Sequence, residues 1–128
     1  MPNHDSFLVP AGDLRPEDSP SGFAALLRQE GDQIRRDSFV AVAPDQSASG
    51  RIQVGYTTIY PGCSTRGHTH PDREEVYHFT RGAGVMIADG EETVVAAGDT
   101  FYLKPGPFHI TRNPGALPLE YFWITIVA

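Results

Sequence analysis

Residues 62–82 read GCSTRGHTHPDREEVYHFTRG and contain His68, His70 and Glu75, three side chains of the kinds that bind metal ions in proteins. Side chains alternate across a β-strand with a period of two, so imidazoles at positions i and i+2 lie on one face. A carboxylate five residues later, beyond the turn-forming sequence PDR at 71–73, can return on the neighbouring strand. The stretch therefore predicts a three-ligand metal site.

Composition limits the class of protein around this stretch. The 128 residues suit one domain, and sixteen acidic against ten basic residues give a net charge of −6. The basic residues form no long run, which argues against nucleic-acid binding. The chain has one cysteine, Cys63, and it shows neither a signal-peptide pattern nor an apolar window of membrane-span length. We expect a cytoplasmic protein that does not enter a membrane.

Frequent turn signals predict an all-β chain. Glycine and proline, with 13 and 11 residues, punctuate short apolar segments. Strands are predicted at residues 39–43, 51–60, 67–69, 75–80, 84–88, 92–96, 100–103, 108–111 and 119–127, which suggests a sandwich or barrel. One short helix is predicted at 22–30, with Ser21 as its N-cap. Residues 1–50 would then form an arm, this helix and a first strand that pack on a barrel of residues 51–128.

A second stretch, residues 98–113, reads GDTFYLKPGPFHITRN and places His109 after a Pro-Gly-Pro turn, where a strand can direct its imidazole into the barrel. The two stretches together resemble the paired motifs of the cupin superfamily. The first motif is matched at every fixed position by Gly62-x5-His68-x-His70-x4-Glu75-x6-Gly82. The second is matched by Gly98-x5-Lys104-x-Gly106-x2-His109-x3-Asn113, with a lysine where proline is usual.

The resemblance implies a small double-stranded β-helix, or jelly roll, with one divalent metal ion held by the residues matching His68, His70, Glu75 and His109. Glu74 also falls in the window permitted after the second histidine, but only Glu75 leaves six residues before Gly82. Three imidazoles and one carboxylate leave two positions free on a six-coordinate ion, which suits Fe, Mn, Ni, Co or Zn. A structural metal, or a barrel without metal, is the alternative to a reactive centre.

Strand alternation predicts which side chains surround the ion. Tyr77 and Phe79 share a face with Glu75, so both should line the cavity. Tyr77 is a candidate catalytic acid or base, and the alternative is a wall residue that only forms a hydrogen bond.

Three further residues are candidates for substrate binding. Arg66 lies two residues before His68 and either faces inward, where a guanidinium binds carboxylate or phosphate, or is exposed. Lys104 is a second candidate anion contact. Thr111 shares the face of His109 and could contact a ligand.

In two predicted strands, the apolar residues raise the question of which face is buried. Tyr56 and Tyr60 share a face with Ile52 and Val54, and inward packing is expected for this face. In the last strand, residues 119–127, both faces are apolar. One of those faces is expected to be buried against a second subunit, which predicts a homodimer.

Two closer resemblances exist within the superfamily. The residues from 57 to 84 are similar to cupin-type glucose-6-phosphate isomerases, which implies a phosphate contact at Thr65 and Gly67. This chain has a shorter spacing from histidine to glutamate and a shorter loop before Thr65 than that family. The Glu-x-Tyr arrangement and the aromatic final strand resemble small cupin dimethylsulfoniopropionate lyases, in which the tyrosine matching Tyr77 would assist proton removal beside a metal-bound carboxylate.

Three functions follow from these observations. The leading hypothesis is a mononuclear metalloenzyme that binds a small oxygenated or anionic metabolite and moves a proton, as an isomerase or lyase. The second is an Fe(II)-dependent dioxygenase, which would require O2 for turnover. The third is a metal-dependent binding or sensing module that retains its ligand without forming product.

Overall fold

Nine β-strands make up most of the computed structural model, which describes residues 5–16 and 36–127. They are β1 (Arg15–Pro16), β2 (Arg36–Val42), β3 (Ile52–Ile59), β4 (Arg73–Arg81), β5 (Ala83–Ala88), β6 (Glu91–Ala96), β7 (Thr100–Leu103), β8 (His109–Arg112) and β9 (Leu119–Val127). Two 3₁₀ turns, Ala11–Asp13 and Pro44–Gln46, complete the regular structure of these ranges. No helix within the described residues has the length and hydropathy needed to span a membrane. The helix predicted at 22–30 lies outside the described residues.

The strands form two antiparallel sheets that face each other as a jelly roll. The larger sheet has six strands in the order β1-β2-β3-β9-β4-β7, and the smaller has three in the order β6-β5-β8. Strands β5 and β6 are joined by a tight turn at Asp89-Gly90, where both residues have positive φ. The all-β jelly roll predicted from the sequence is therefore confirmed.

One predicted strand is reduced to a single bridge. Residues 67–69 do not form a strand, and within this segment His68 alone makes an isolated antiparallel pairing, with His109. Gly67 precedes it with φ of +88°, which interrupts the extended backbone that a longer strand requires. The pairing is nevertheless enough to align the two histidines.

The inner face of the larger sheet changes from apolar to polar along the strands. At one end Ile59 pairs with Leu119 on β9, and both side chains are fully buried. Further along the same two strands Gln53 pairs with Thr125, which in turn pairs with Glu75 on β4. The apolar end holds the sheets together, whereas the polar end lines a cavity.

The outward face of β3 differs from the prediction. Tyr56 is 45% exposed and Ile52 is 38% exposed, whereas the alternate residues Gly55, Thr57 and Ile59 are buried. The alternation was predicted correctly, but the inward packing of Tyr56 and Ile52 was wrong. Both faces of this strand carry apolar residues, so the pattern alone could not tell which face points inward.

The outer surface of the larger sheet is partly apolar. The rings of Tyr56 and Phe122 pack with centroids 5.2 Å apart, and Tyr102 on β7 is also exposed. The homodimer inferred from the last strand stays a prediction.

The last residues of the two motif-like stretches, Gly82 and Asn113, have structural roles in this fold. Gly82 lies between β4 and β5 with φ of +80°, and a Cβ there would lie 2.3 Å from the Pro118 carbonyl oxygen. Asn113 is fully buried, and its side-chain amide donates to the Ile59 and Leu117 carbonyl oxygens at 2.9 and 2.8 Å. Both residues hold connections in place rather than acting in the cavity.

Gly55 allows the cavity wall to form, and its replacement should be costly. A Cβ at this position would lie 2.3 Å from both the Phe39 carbonyl oxygen and the Trp123 ring. We expect Gly55→Ala to lower the free energy of unfolding by roughly 1–3 kcal/mol through overpacking, measured by urea denaturation. Gly12→Ala is the control, because a Cβ there meets nothing within 4 Å. Equal stability of the two variants would contradict this account.

Candidate metal centre

Four side chains converge between the two sheets. His68 and His70 come from the segment between β3 and β4, Glu75 from β4 and His109 from the start of β8. Their ligand atoms all lie within 4.8 Å of one another. Backbone pairing positions them, because His68 N–H donates to the His109 carbonyl at 3.2 Å and His109 N–H donates back at 3.0 Å. The structure thus brings together all four residues that the sequence nominated as ligands.

The separations suit a shared ion. His109 Nε2 lies 3.1 Å from Glu75 Oε2, and His70 Nε2 lies 3.4 Å from Glu75 Oε1. The ring of His68 lies 4.2 Å from that of His70 and 4.4 Å from that of His109, between centroids. Such spacings are close to those of neighbouring ligands around an ion bound at about 2.0–2.2 Å.

His109 carries the clearest sign of a missing partner. Its ring is 2% exposed, and Nδ1 lies 3.2 Å from the Pro107 carbonyl oxygen, to which an N–H at this position donates. That tautomer leaves a lone pair on Nε2, which is buried without a hydrogen-bond partner. The 3.1 Å approach to Glu75 is therefore a contact between two ligand atoms, and a divalent ion fits this donor set.

Burial favours the neutral form of two imidazoles of the cluster, His68 and His70. Burial lowers the pKa of His68 to about 4, and the neighbouring His109, His70 and Arg36 lower it further against the opposing charge of Glu75. Burial also lowers the pKa of His70. Because metal ions bind the neutral imidazole, these rings need not lose a proton at neutral pH before binding one.

The carboxylate of the cluster is Glu75. Burial raises the pKa of this group, but a proton on His109 Nε2, in the tautomer that binds no metal, and the hydrogen bond from Tyr77 outweigh burial and lower the pKa overall. Glu74 points to the other face of β4, where its carboxylate accepts a 2.6 Å hydrogen bond from Tyr102. Spacing and strand alternation had indicated this assignment of the two neighbours.

Tyr77 lies in the cavity wall, as alternation along β4 predicted. Its hydroxyl donates a 2.8 Å hydrogen bond to Glu75 Oε2, and the side chain is 6% exposed. Burial and then the charge of Glu75 raise its pKa well above 10, so the phenol keeps its proton. Phe79, predicted to line the same cavity, is instead fully buried in the apolar core.

The cluster opens into a cavity of about 340 Å³. Three of the predicted substrate-binding residues line it, namely Thr65, Arg66 and Thr111. Thr65 Oγ1 accepts a 3.0 Å hydrogen bond from the Thr111 backbone N–H, which ties the wall to β8. Arg66 is exposed at the cavity surface, while Lys104 is exposed and does not belong to the lining.

Sequence reasoning missed most of the wall contributed by the other strands. These residues are Arg36, Ser38, Gln53, Thr57, Arg73, Tyr121, Trp123 and Thr125. Alternation of Arg36 and Ser38 on β2 was the available signal, but polar residues with period two ordinarily indicate a solvent-facing side. Only the closed barrel shows that this polar side faces inward.

Comparison with known proteins agrees with this geometry. Residues 55–125, more than half of the chain, match the family model described as Cupin domain, and the chain belongs to the cupin family. An uncharacterized protein of Methanocaldococcus jannaschii is 39% identical over 59 residues, covering 46% of this chain and 47% of that protein. A Rhizobium meliloti protein named "Putative glucose-6-phosphate isomerase 2" is 32% identical over 112 residues, covering 77% of this chain and 55% of its own length.

The chain thus spans about half the length of these two curated relatives. Among solved structures, a predicted oxalate decarboxylase of Thermotoga maritima superimposes with a TM-score of 0.76 at 21% identity. That match covers 95% of this chain and all of the other. At this identity the similarity demonstrates the fold.

Protonation of the buried imidazoles should destabilise the metal-free protein. His68 has a pKa of about 4 when folded against an ordinary value of 6.5, so the unfolded chain takes up its proton first as the pH falls. We expect the urea midpoint of metal-free protein to fall as the pH is lowered from 6.5 to 4. His68→Gln should flatten this slope, whereas the exposed-site control His78→Gln should retain it. Identical slopes in all three proteins would contradict the prediction.

Neighbouring glutamates offer a matched test of the ligand set. Glu75→Gln removes the anionic ligand and should weaken binding of Zn²⁺ by at least about 100-fold, since changes to supporting residues alone cost 10–100-fold. Glu74→Gln alters the outer face and should leave the affinity within about twofold. Chelator competition on untagged protein measures both, and a larger loss in Glu74→Gln would reverse the assignment.

Proposed function

We propose that this cupin is a mononuclear divalent-metal enzyme that acts on a small oxygenated anion by proton transfer, as an isomerase or lyase. The observation that carries the proposal is the buried four-ligand cluster opening into a cavity of about 340 Å³ beside a tyrosine hydroxyl. That volume suits a small metabolite. The similarity to the Rhizobium meliloti relative supports an isomerase over other metal chemistry.

The ion would be held by His68, His70, Glu75 and His109. When bound, a divalent ion supplies a Lewis acid that polarises a carbonyl or carboxylate oxygen of the substrate. The sequence and the donor set leave its identity open among Fe, Mn, Ni, Co and Zn.

Residues of the chain supply the remaining roles in this proposal. Tyr77 would be the acid or base of this transfer: the neutral phenol gives a proton to the substrate, and a bound cation would offset the burial and the Glu75 charge that raise its pKa, so that it can also accept one. Thr65 and Thr111 join the wall beside His109, where they limit the positions a bound molecule can take. Arg66 lies at the exposed part of the lining and would attract an anion.

Solvent-proton exchange tests the proposed reaction directly. Metal-loaded, untagged protein in D2O without O2 should catalyse deuterium incorporation beside the carbonyl of fructose 6-phosphate or of a small 2-keto acid, followed by NMR. Tyr77→Phe should slow exchange by roughly 10²-fold or more, the usual contribution of general acid–base catalysis. His68→Ala should abolish it together with metal binding.

The alternatives predict different outcomes in the same experiment. If turnover stops without O2, the proton-transfer hypothesis is wrong and an Fe(II)-dependent dioxygenase is favoured. Stoichiometric retention of a ligand with no exchange would indicate a metal-dependent binding or sensing module. Exchange that is unaltered in Tyr77→Phe would remove the acid role from this tyrosine.

A further inference from the structure

A second group of buried polar side chains lines the same cavity on strands that carry none of the metal-ligand residues. Arg36 and Ser38 lie on β2 and Thr57 lies on β3, with exposures of 7%, 1% and 2%. All three belong to the cavity lining. A guanidinium that lines a cavity can bind a carboxylate or phosphate group in addition to its contacts within the chain.

Strand register directs this group into the barrel. Ser38 pairs with Thr57 across β2 and β3, and Arg36 occupies the next inward position on β2, opposite Ile59. Trp123 on β9 lies against the same wall, because it pairs with Gly55, which has no side chain to displace it. Arg36 and the four residues of the candidate metal centre line the same cavity.

The hydroxyls form a hydrogen-bond chain that begins at the Trp123 indole. Trp123 Nε1–H donates to Thr57 Oγ1 at 2.9 Å, and an indole can only donate. Thr57 Oγ1 lies 2.9 Å from Ser38 Oγ, where either hydroxyl can be the donor. When Thr57 donates to Ser38, the Ser38 proton is left to donate to a bound molecule, and in the reverse direction the Thr57 proton is left. Either way one hydroxyl proton remains on the cavity wall that also carries Arg36.

The cavity lining is positively charged, whereas the protein as a whole is negatively charged. The chain has a net charge of −6, yet among the described residues the lining contains Arg36, Arg66 and Arg73 and one carboxylate, that of Glu75. A divalent ion in the cluster would add to this positive field. Anions are therefore drawn into the cavity, and an anion with two negative groups gains most.

We propose that Arg36, with the hydroxyls of Ser38 and Thr57, forms an anion subsite that binds a carboxylate or phosphate group of the substrate, while a second oxygen group of the same molecule reaches the metal centre. The substrate class is thus a small dianion. This inference rests on the proposed function only in placing metal and substrate in one cavity. Arg36 takes the anion-contact role for which the sequence had nominated Arg66 and Lys104.

Ligands with one or two anionic groups test the subsite in the metal-loaded protein. Zn²⁺-loaded protein is titrated at constant ionic strength with acetate, malonate and phosphonoacetate, using calorimetry and the fluorescence of Trp123, the one tryptophan of the chain. We expect malonate or phosphonoacetate to bind at least tenfold more tightly than acetate. Comparison of these two dianions distinguishes a carboxylate from a phosphate-type group at Arg36.

Substitutions then separate the subsite from general electrostatics. Arg36→Gln should remove the tenfold preference for the dianion, and Arg36→Lys should restore part of it because charge returns without the bidentate fork. Arg81→Gln is the matched control, since this arginine is exposed outside the cavity lining and lies 3.7 Å from Glu120. Unchanged Zn²⁺ affinity and thermal midpoint in each variant establish that the barrel is intact.

If Arg36→Gln unfolds the protein, Ser38→Ala provides the second test and should weaken dianion binding selectively. Equal loss in Arg36→Gln and Arg81→Gln, or no dianion preference in the wild type, would overturn the subsite. A selective loss in Arg36→Gln without any deuterium exchange would retain the subsite and reject the proposed reaction. If deuterium exchange proceeds and Arg36→Gln binds dianions as tightly as the wild type, the proposed reaction is retained and the subsite is rejected.

Discussion

The site depends on the backbone pairing between His68 and His109. Two hydrogen bonds join residues that are far apart in the chain, and they bring the segment before β4 against the start of β8. Strand β8 belongs to the smaller sheet, whereas Glu75 lies in the larger one. The four ligand atoms therefore meet where the two sheets meet, and the geometry of the centre depends on how those sheets pack.

A polar cavity inside a small barrel leaves less apolar surface for folding. The fully buried side chains Ile59, Phe79, Met86 and Leu119 lie at the apolar end and provide much of the core that remains. At the other end, burial lowers the pKa of His68, and His109 Nε2 is buried without a hydrogen-bond partner. A buried polar atom without a hydrogen-bond partner lowers the stability of the metal-free fold, and a bound ion would offset that loss.

Short-range spacing predicted correctly which residues come together in the cluster. Alternation along β4 separated Glu75 from Glu74 and placed Tyr77 beside the ligands, because a strand has only two faces. The same rule could not orient β3, where apolar residues occur on both faces, and Tyr56 was assigned to the wrong side. Phe79 shares the face of Tyr77 but lies deeper in the barrel. Strand alternation predicts the face on which a side chain lies, but it does not predict the depth of that side chain along the barrel.

By itself the sequence determined the all-β class, most strand positions and the four candidate ligand residues, since these depend on turn residues, strand alternation and the spacing of two motifs. Only the tertiary structure decided that Arg36, Ser38 and Thr57 face the cavity. Their strands come before the first motif, and nothing local distinguishes an inward polar face from a solvated one. Closure of the barrel makes that distinction, because it is a property of both sheets together.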